Sequence, residues 1–251
     1  MSTRHTRPAN RPTSRLMNPV NLTVLSINFA CRDAAPFSGC DNCVARFTHI
    51  ANAISGNASA AQYAGLPDLE TVDVILAQEL STPLATYADN LGRALVARGF
   101  VHSTGPPAPS VSDPQCADSP APFGNLATRA AFSSLTGLAS GGLVTFSKHP
   151  IRRVLKQNWC VTNLPAPSGY VAALLDVNGS SSAVVVNLHA FPEYDFGIDA
   201  VHLRTYQFSE LSTLARKLAS ALEGIGAAFA IVLGGDFNED AFRGQVQASA
   251  D

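Results

Sequence analysis

The chain has 251 residues, 46% of them hydrophobic and 14% charged, enough apolar material for one large domain with its own core or two small ones. Its formal net charge of -2 advertises no basic nucleic-acid-binding face, and no tract of 18 consecutive apolar residues suggests a transmembrane helix.

In chain order, residues 1–20 come first as a basic tail. Within it "MSTRHTRPANRPTSRLMNP" carries four Arg and no acid. It lacks the apolar segment of a secretory signal, so a cytoplasmic location is the default expectation. A disordered tail is the plainer reading and an Arg- and Ser-rich transit peptide the alternative. Residues 21–251 read as one α/β domain. "LTVLSIN" (22–28) is the first predicted strand, and "CVARFTHIANAI" (43–54) a helix. "VDVILAQ" (72–78) is the second strand. In "LATYADNLGRALVARG", Leu84, Tyr87, Leu91 and Leu95 fall on one helical face.

Residues 103–125, "STGPPAPSVSDPQCADSPAPFGN", are dense in Pro, Ser and Ala and predict a long exposed loop inserted in the domain. Strands resume with "GGLVTFS" (141–147), "YVAALLDV" (170–177) and "SAVVVNLH" (182–189). The helix "HLRTYQFSELSTLARKLASALEG" follows, with Leu203, Gln207, Leu211, Leu214, Leu218 and Leu222 on one stripe and Gly224 as its stop. "AIVLGGD" (230–236) is the last strand. Several strands are apolar on successive residues, which implies burial on both faces.

The five cysteines are Cys31, Cys40, Cys43, Cys116 and Cys160. Cys40 and Cys43 form a lone C-x-x-C without a second pair or a suitably spaced His, so zinc is not expected. Free thiols are the expectation. A Cys31–Cys40 disulfide would suit only an exported protein.

Polar groups recur where strands finish. Asn28 ends the first, Glu79 follows the second after Gln78, and His189 ends the fifth two residues after Asn187. Asp236 and Asn238 end the last. In α/β folds ligands gather at such ends. One such residue alone is more often a turn former or a solvated group. Together, two acids, two amides and an imidazole suit Mg²⁺ and a phosphate ester. Glu79 can ligate the metal and Asp236 can orient a water. Asn28 and Asn238 can donate to phosphate oxygens or orient the water, and His189 can protonate the leaving oxygen.

In order, "LTVLSIN", "DVILAQE", "GGLVTFSKHPI", "VVVNLHA", "HLRTYQFSEL" and "IVLGGDFN" resemble the endonuclease/exonuclease/phosphatase superfamily across residues 22 to 239. The resemblance implies a four-layer α/β sandwich, with two mixed β-sheets face to face and helices outside. It makes Glu79 the Mg²⁺ ligand, Asn28 the first-strand amide and Asp236 with Asn238 the catalytic pair. His189 becomes the histidine that contacts phosphate or acts as general acid. Arg204 and Gln207 match an "R-x-x-Q" helix signature read as mainly structural. Lys148 and His149 shape a turn before Pro150.

Spacing around these motifs is most similar to the neutral sphingomyelinase branch, with sphingomyelin at a membrane surface as the implied substrate. Phe191, Tyr194 and Phe196 in "AFPEYDFGIDAVH" would either dip into lipid or pack as a surface loop. A nuclease or inositol-phosphate phosphatase of the same fold is the alternative, though no Lys/Arg cluster surrounds the motifs and nucleic acid is the weaker partner. The superfamily closes on an Asp-His pair that supplies a general base. None of the six His here, His5, His49, His102, His149, His189 and His202, follows an Asp. The expectation is therefore a domain incomplete at its C-terminus, C-terminally truncated or degenerate, and a non-catalytic fragment is a third reading.

Overall fold

The structure is a computed structural model that describes residues 21–29, 43–54, 56, 66–80, 86–105, 142–159, 169–179, 181–191, 200–223 and 228–238. Among these residues the strands are β1 (Val24–Asn28), β2 (Val74–Gln78), β3 (His102–Ser103), β4 (Val144–Ser147), β5 (Ile151–Asn158), β6 (Gly169–Asp176), β7 (Ser181–His189) and β8 (Ala228–Asp236). The helices are α1 (Cys43–Ile54), α2 (Thr86–Val96) and α3 (Ala200–Glu223). The tail over 1–20, the 103–125 loop beyond Gly105, Tyr194, Phe196 and residues 239–251 lie outside the described residues. So do Cys31, Cys40, Cys116 and Cys160, and with them the thiol reading.

Two mixed sheets form, as the family resemblance implies. One has the order β1-β2-β4-β3, the other β5-β6-β7-β8. β1 lies parallel to β2 and β7 parallel to β8, while the other neighbours are antiparallel.

Side-chain alternation sorts each strand between two layers. Val74 and Leu76 of β2 pack with Ala173, Leu175, Ala183 and Val185 in the layer between the sheets. Ile75 and Ala77, one residue out of phase, pack with Ile54, Leu91 and Leu95 beneath α1 and α2. Val184, Val186 and Leu188 of β7 face the other way, onto Leu211, Leu214 and Leu222 of α3. The layers are therefore helices, sheet, sheet, helix. β2 is buried along its whole length, which is why its sequence reads as an unbroken apolar run.

The layer between the sheets changes character along its length. Its inner row on β7 runs Ala183, Val185, Asn187, His189, and on β2 Val74, Leu76, Gln78. Asn187 is fully buried, and its Nδ2 donates to Ala77 O at 3.0 Å and Val144 O at 3.1 Å across the gap. Its Oδ1 accepts from Gln78 Nε2 at 2.8 Å. One amide thus joins the sheets at three points with all its hydrogens used. Gly234 opposes this region, where a Cβ would meet Leu76 Cδ1 at 2.7 Å, so its missing side chain lets the sheets close.

The sequence does not foretell β5. "IRRVLKQN" has no apolar alternation because it is a sheet edge, with Val154 and Leu155 both exposed. Near its start, Arg152 Nη2 donates to Asp176 Oδ2. Gly179 N donates to Asp176 Oδ1 at 2.7 Å. The Arg152 hydrogen bond, then that from Gly179, hold the Asp176 carboxyl below its ordinary pKa.

Asn187→Leu should cost about 3 kcal/mol, because it removes all three hydrogen bonds that the buried amide makes to Gln78, Ala77 O and Val144 O across the sheets. Urea unfolding measures it, and a loss near zero would show that the amide is not a fastener. A depressed pKa stabilises the fold above the unfolded-state value and stops doing so as pH falls through the folded one. The stability deficit of Asp176→Asn should accordingly be full above roughly pH 5 and fade in more acidic buffer. A deficit independent of pH would contradict the pairing.

Candidate active site

Four elements deliver the polar ends to one place. β1 pairs with β2 so that Asn28 lies opposite Gln78, one residue before Glu79. β7 pairs with β8 so that His189 lies opposite Asp236. The fastened sheets then bring the two pairs together. Ligating atoms of Glu79, His189 and Asp236 all lie within 4.8 Å of one another. His189 Nε2 is 3.5 Å from Glu79 Oε1 and 3.9 Å from Asp236 Oδ2. The histidine is buried, while the two acids are partly open to solvent.

Asn28 sits between the carboxylates. Its Nδ2 donates to Asp236 Oδ2 at 2.6 Å and to Glu79 Oε1 at 3.3 Å. Both amide hydrogens are thereby directed at acids, so in this structure Asn28 spaces the carboxylates rather than offering donors to a substrate. Asn238 stands on the other side of Asp236. Its Nδ2 donates to Ala190 O at 2.8 Å, and its backbone N to Asp236 Oδ1 at 2.8 Å. It orients Asp236 and pins the strand beyond His189.

The backbone at this end is unusual. Glu79 has φ 58° and Asn238 φ 49°, both in the left-handed region. Asn tolerates that region, whereas Glu in it stores strain on the order of 1–2 kcal/mol. The neighbours hold Glu79 there, since Phe29 N donates to Gln78 O at 3.1 Å and Leu80 N to Gly142 O at 3.1 Å. Gly235, at φ 134°, lies where a Cβ would stand 2.0 Å from Leu188 O, so "GGD" needs its second glycine to bring Asp236 beside His189.

Sequence patterning overlooks Trp159, the chain's one tryptophan. It is fully buried, and its Nε1 donates to His189 O at 2.7 Å. Its uniqueness was the available signal. Lys148 and His149 lie at the other end of β2, consistent with a turn before Pro150. There Lys148 Nζ donates to Leu69 O at 2.9 Å, and His149 Nε2 is 3.8 Å from Asp73 Oδ1.

No protein-family model and no curated protein matches this sequence. Solved structures do match it. Sphingomyelinase C from Streptomyces griseocarneus is 20% identical over 92% of this chain and 70% of its own length, with a TM-score of 0.55. SmcL is 16% identical over 88% of this chain and 65% of its own length, with a TM-score of 0.57. The chain has the fold of these proteins, as its sequence resemblance implies, and spans about two thirds of their length.

Strain at Glu79 has a measurable signature. Glu79→Gly should be about 1 kcal/mol more stable than Glu79→Ala, because only glycine adopts this φ without cost. Denaturant melts of the two variants give the difference, and an alanine variant as stable as glycine would rule out the strain.

Proposed function

We propose that this chain is a Mg²⁺-dependent phosphodiester hydrolase acting on sphingomyelin at a membrane surface, releasing phosphocholine. The observation that supports this reading is the convergence of Glu79, His189 and Asp236 within 4.8 Å, in a fold shared with sphingomyelinase C. Two neighbouring carboxylates repel each other and favour a cation between them. Mg²⁺ takes one or two carboxylates and completes its shell with waters and phosphate oxygens, so this donor set fits it.

Glu79 would hold the ion, with Asp236 beside it. The bound ion would supply charge neutralisation at the phosphate. Asp236, oriented by Asn28 and Asn238, accepts a hydrogen bond from the attacking water and aligns it with phosphorus; of the water's two protons one stays on the phosphate product and the other leaves to solvent, balancing the proton that His189 gives up and later regains. His189, on the opposite strand, donates a proton from Nε2 to the leaving alkoxide oxygen. Asn28 sets the separation of the acids. Burial of His189 keeps bulk water from competing for that proton.

A second reading rests on the described site itself: among the described residues, the cluster with the two carboxylates holds one histidine, His189. With His189 as the acid and no second imidazole as general base, the rate would be lower by about 10² to 10⁴-fold. The site would then bind the cation and phosphate while turning over slowly or not at all.

Phosphocholine release from sphingomyelin vesicles should require Mg²⁺ and stop with EDTA. Glu79→Gln should weaken Mg²⁺ binding, read by calorimetry, by at least about tenfold. Binding without release would favour the second reading. Plasmid nicking that falls steeply with salt would instead move the substrate to nucleic acid. Release indifferent to Mg²⁺ and to Glu79 would end the metal-dependent proposal.

A further inference from the structure

Directly after His189 the chain leaves the sheet, where backbone groups lose their ladder partners. Here each successive group finds one, from the residue after β5, from the end of β8 or from α3. His189 O accepts from Trp159 Nε1 at 2.7 Å, and Ala190 N donates to Asp236 O at 2.8 Å. Ala190 O accepts from Asn238 Nδ2 at 2.8 Å. Phe191 N then donates to Gln207 Oε1 at 2.9 Å, and Phe191 O accepts from Arg204 Nη1 at 3.3 Å. Five consecutive polar groups are held, four of them by side chains.

The last two belong to α3. Residues three apart lie on one helical face, so Arg204 and Gln207 reach the same residue from the same side. Both are buried, Arg204 at 3% and Gln207 at 0% exposure. A buried guanidinium and amide in place of two leucines on the stripe that carries Leu203 and Leu211 cost desolvation. Burying them would be wasteful if α3 only covered the sheet, because leucine would serve that purpose better.

We infer that Arg204 and Gln207 are positioning residues, a two-pronged clasp on Phe191 that fixes where His189 stands relative to Glu79 and Asp236. This rests on the proposed metal-dependent reading for its catalytic consequence, though not for its structural content. Since Ala190 N binds the backbone of Asp236, slack at Phe191 would be felt as a change in the His189–Asp236 spacing. A shift of about 1 Å in such a site is enough to cost about 10²-fold in rate.

The test uses the full chain with Gln207→Met, which keeps the volume and removes the acceptor. Gln207→Glu restores an acceptor oxygen at the same reach and keeps the clasp testable if the Met variant folds poorly. Leu214→Ala, buried on the same helix away from Phe191, controls for lost stability alone. Amide hydrogen exchange is the direct readout. Gln207→Met should speed exchange at Ala190 and Phe191 at least tenfold, leave Val184–Val186 protected, and be reversed in Gln207→Glu. Mn²⁺ affinity by calorimetry should fall about tenfold and phosphodiester kcat more than KM, while Leu214→Ala changes neither beyond twofold. Unchanged exchange at Ala190, or losses that Leu214→Ala reproduces, would overturn the clasp. A wild-type chain that neither binds Mn²⁺ nor turns over substrate defeats the proposed function, and the exchange result then decides the clasp alone.

Discussion

The contact between Asn187 and the facing sheet governs everything above it. Apolar packing pulls the sheets together but is indifferent to sliding, because Val, Leu and Ala surfaces fit many registers. A buried amide is not indifferent. With one acceptor and two donors satisfied across the gap, any slip of a few ångströms strands several polar groups in a dry layer. Gln78 and Asn187 therefore set the relative height of β2 and β7. Glu79 and His189 stand directly beyond them, so the register of the sheets is also the geometry of the site.

Above that fastener the site keeps two costs in balance. Two carboxylates and an imidazole crowd together, and Glu79 holds a left-handed backbone. Asn28 offsets part of the repulsion with one hydrogen to each acid. Such cost concentrated at one end of a rigid frame is in keeping with the cation site proposed for it. The rest of the frame offsets it through two-sided burial of β2 and β7.

The likeness to sphingomyelinase C and SmcL is a likeness of architecture, since identity is 16–20%. At that distance packed layers persist while most surface residues differ, and fold by itself does not determine substrate. The chemical argument stands on the side chains at the strand ends. α3 contributes through Phe191 rather than through any ligating group, and the "R-x-x-Q" spacing gains a physical sense: it places a donor and an acceptor one helical turn apart against one residue.

Strand identities were legible because β2, β6 and β7 are buried on both faces and their apolar runs admit few other readings. The stripe of α3 was equally plain, from Leu203 to Leu222. β5 was invisible, since an exposed edge strand needs no apolar pattern. The site residues could be named from their places at strand ends, yet their roles could not. Asn28 and Asn238 were expected as donors to phosphate oxygens or as groups that orient the water, and here their amides meet carboxylates and a carbonyl. Sequence alone thus determined which strands are buried and the set of polar ends, because burial periodicity is local, while the layered sandwich followed only from the family resemblance. Only the tertiary structure decided which hydrogen bond each end makes, because partners as far apart as Asn28 and Asp236 meet only after two sheets have packed in one register.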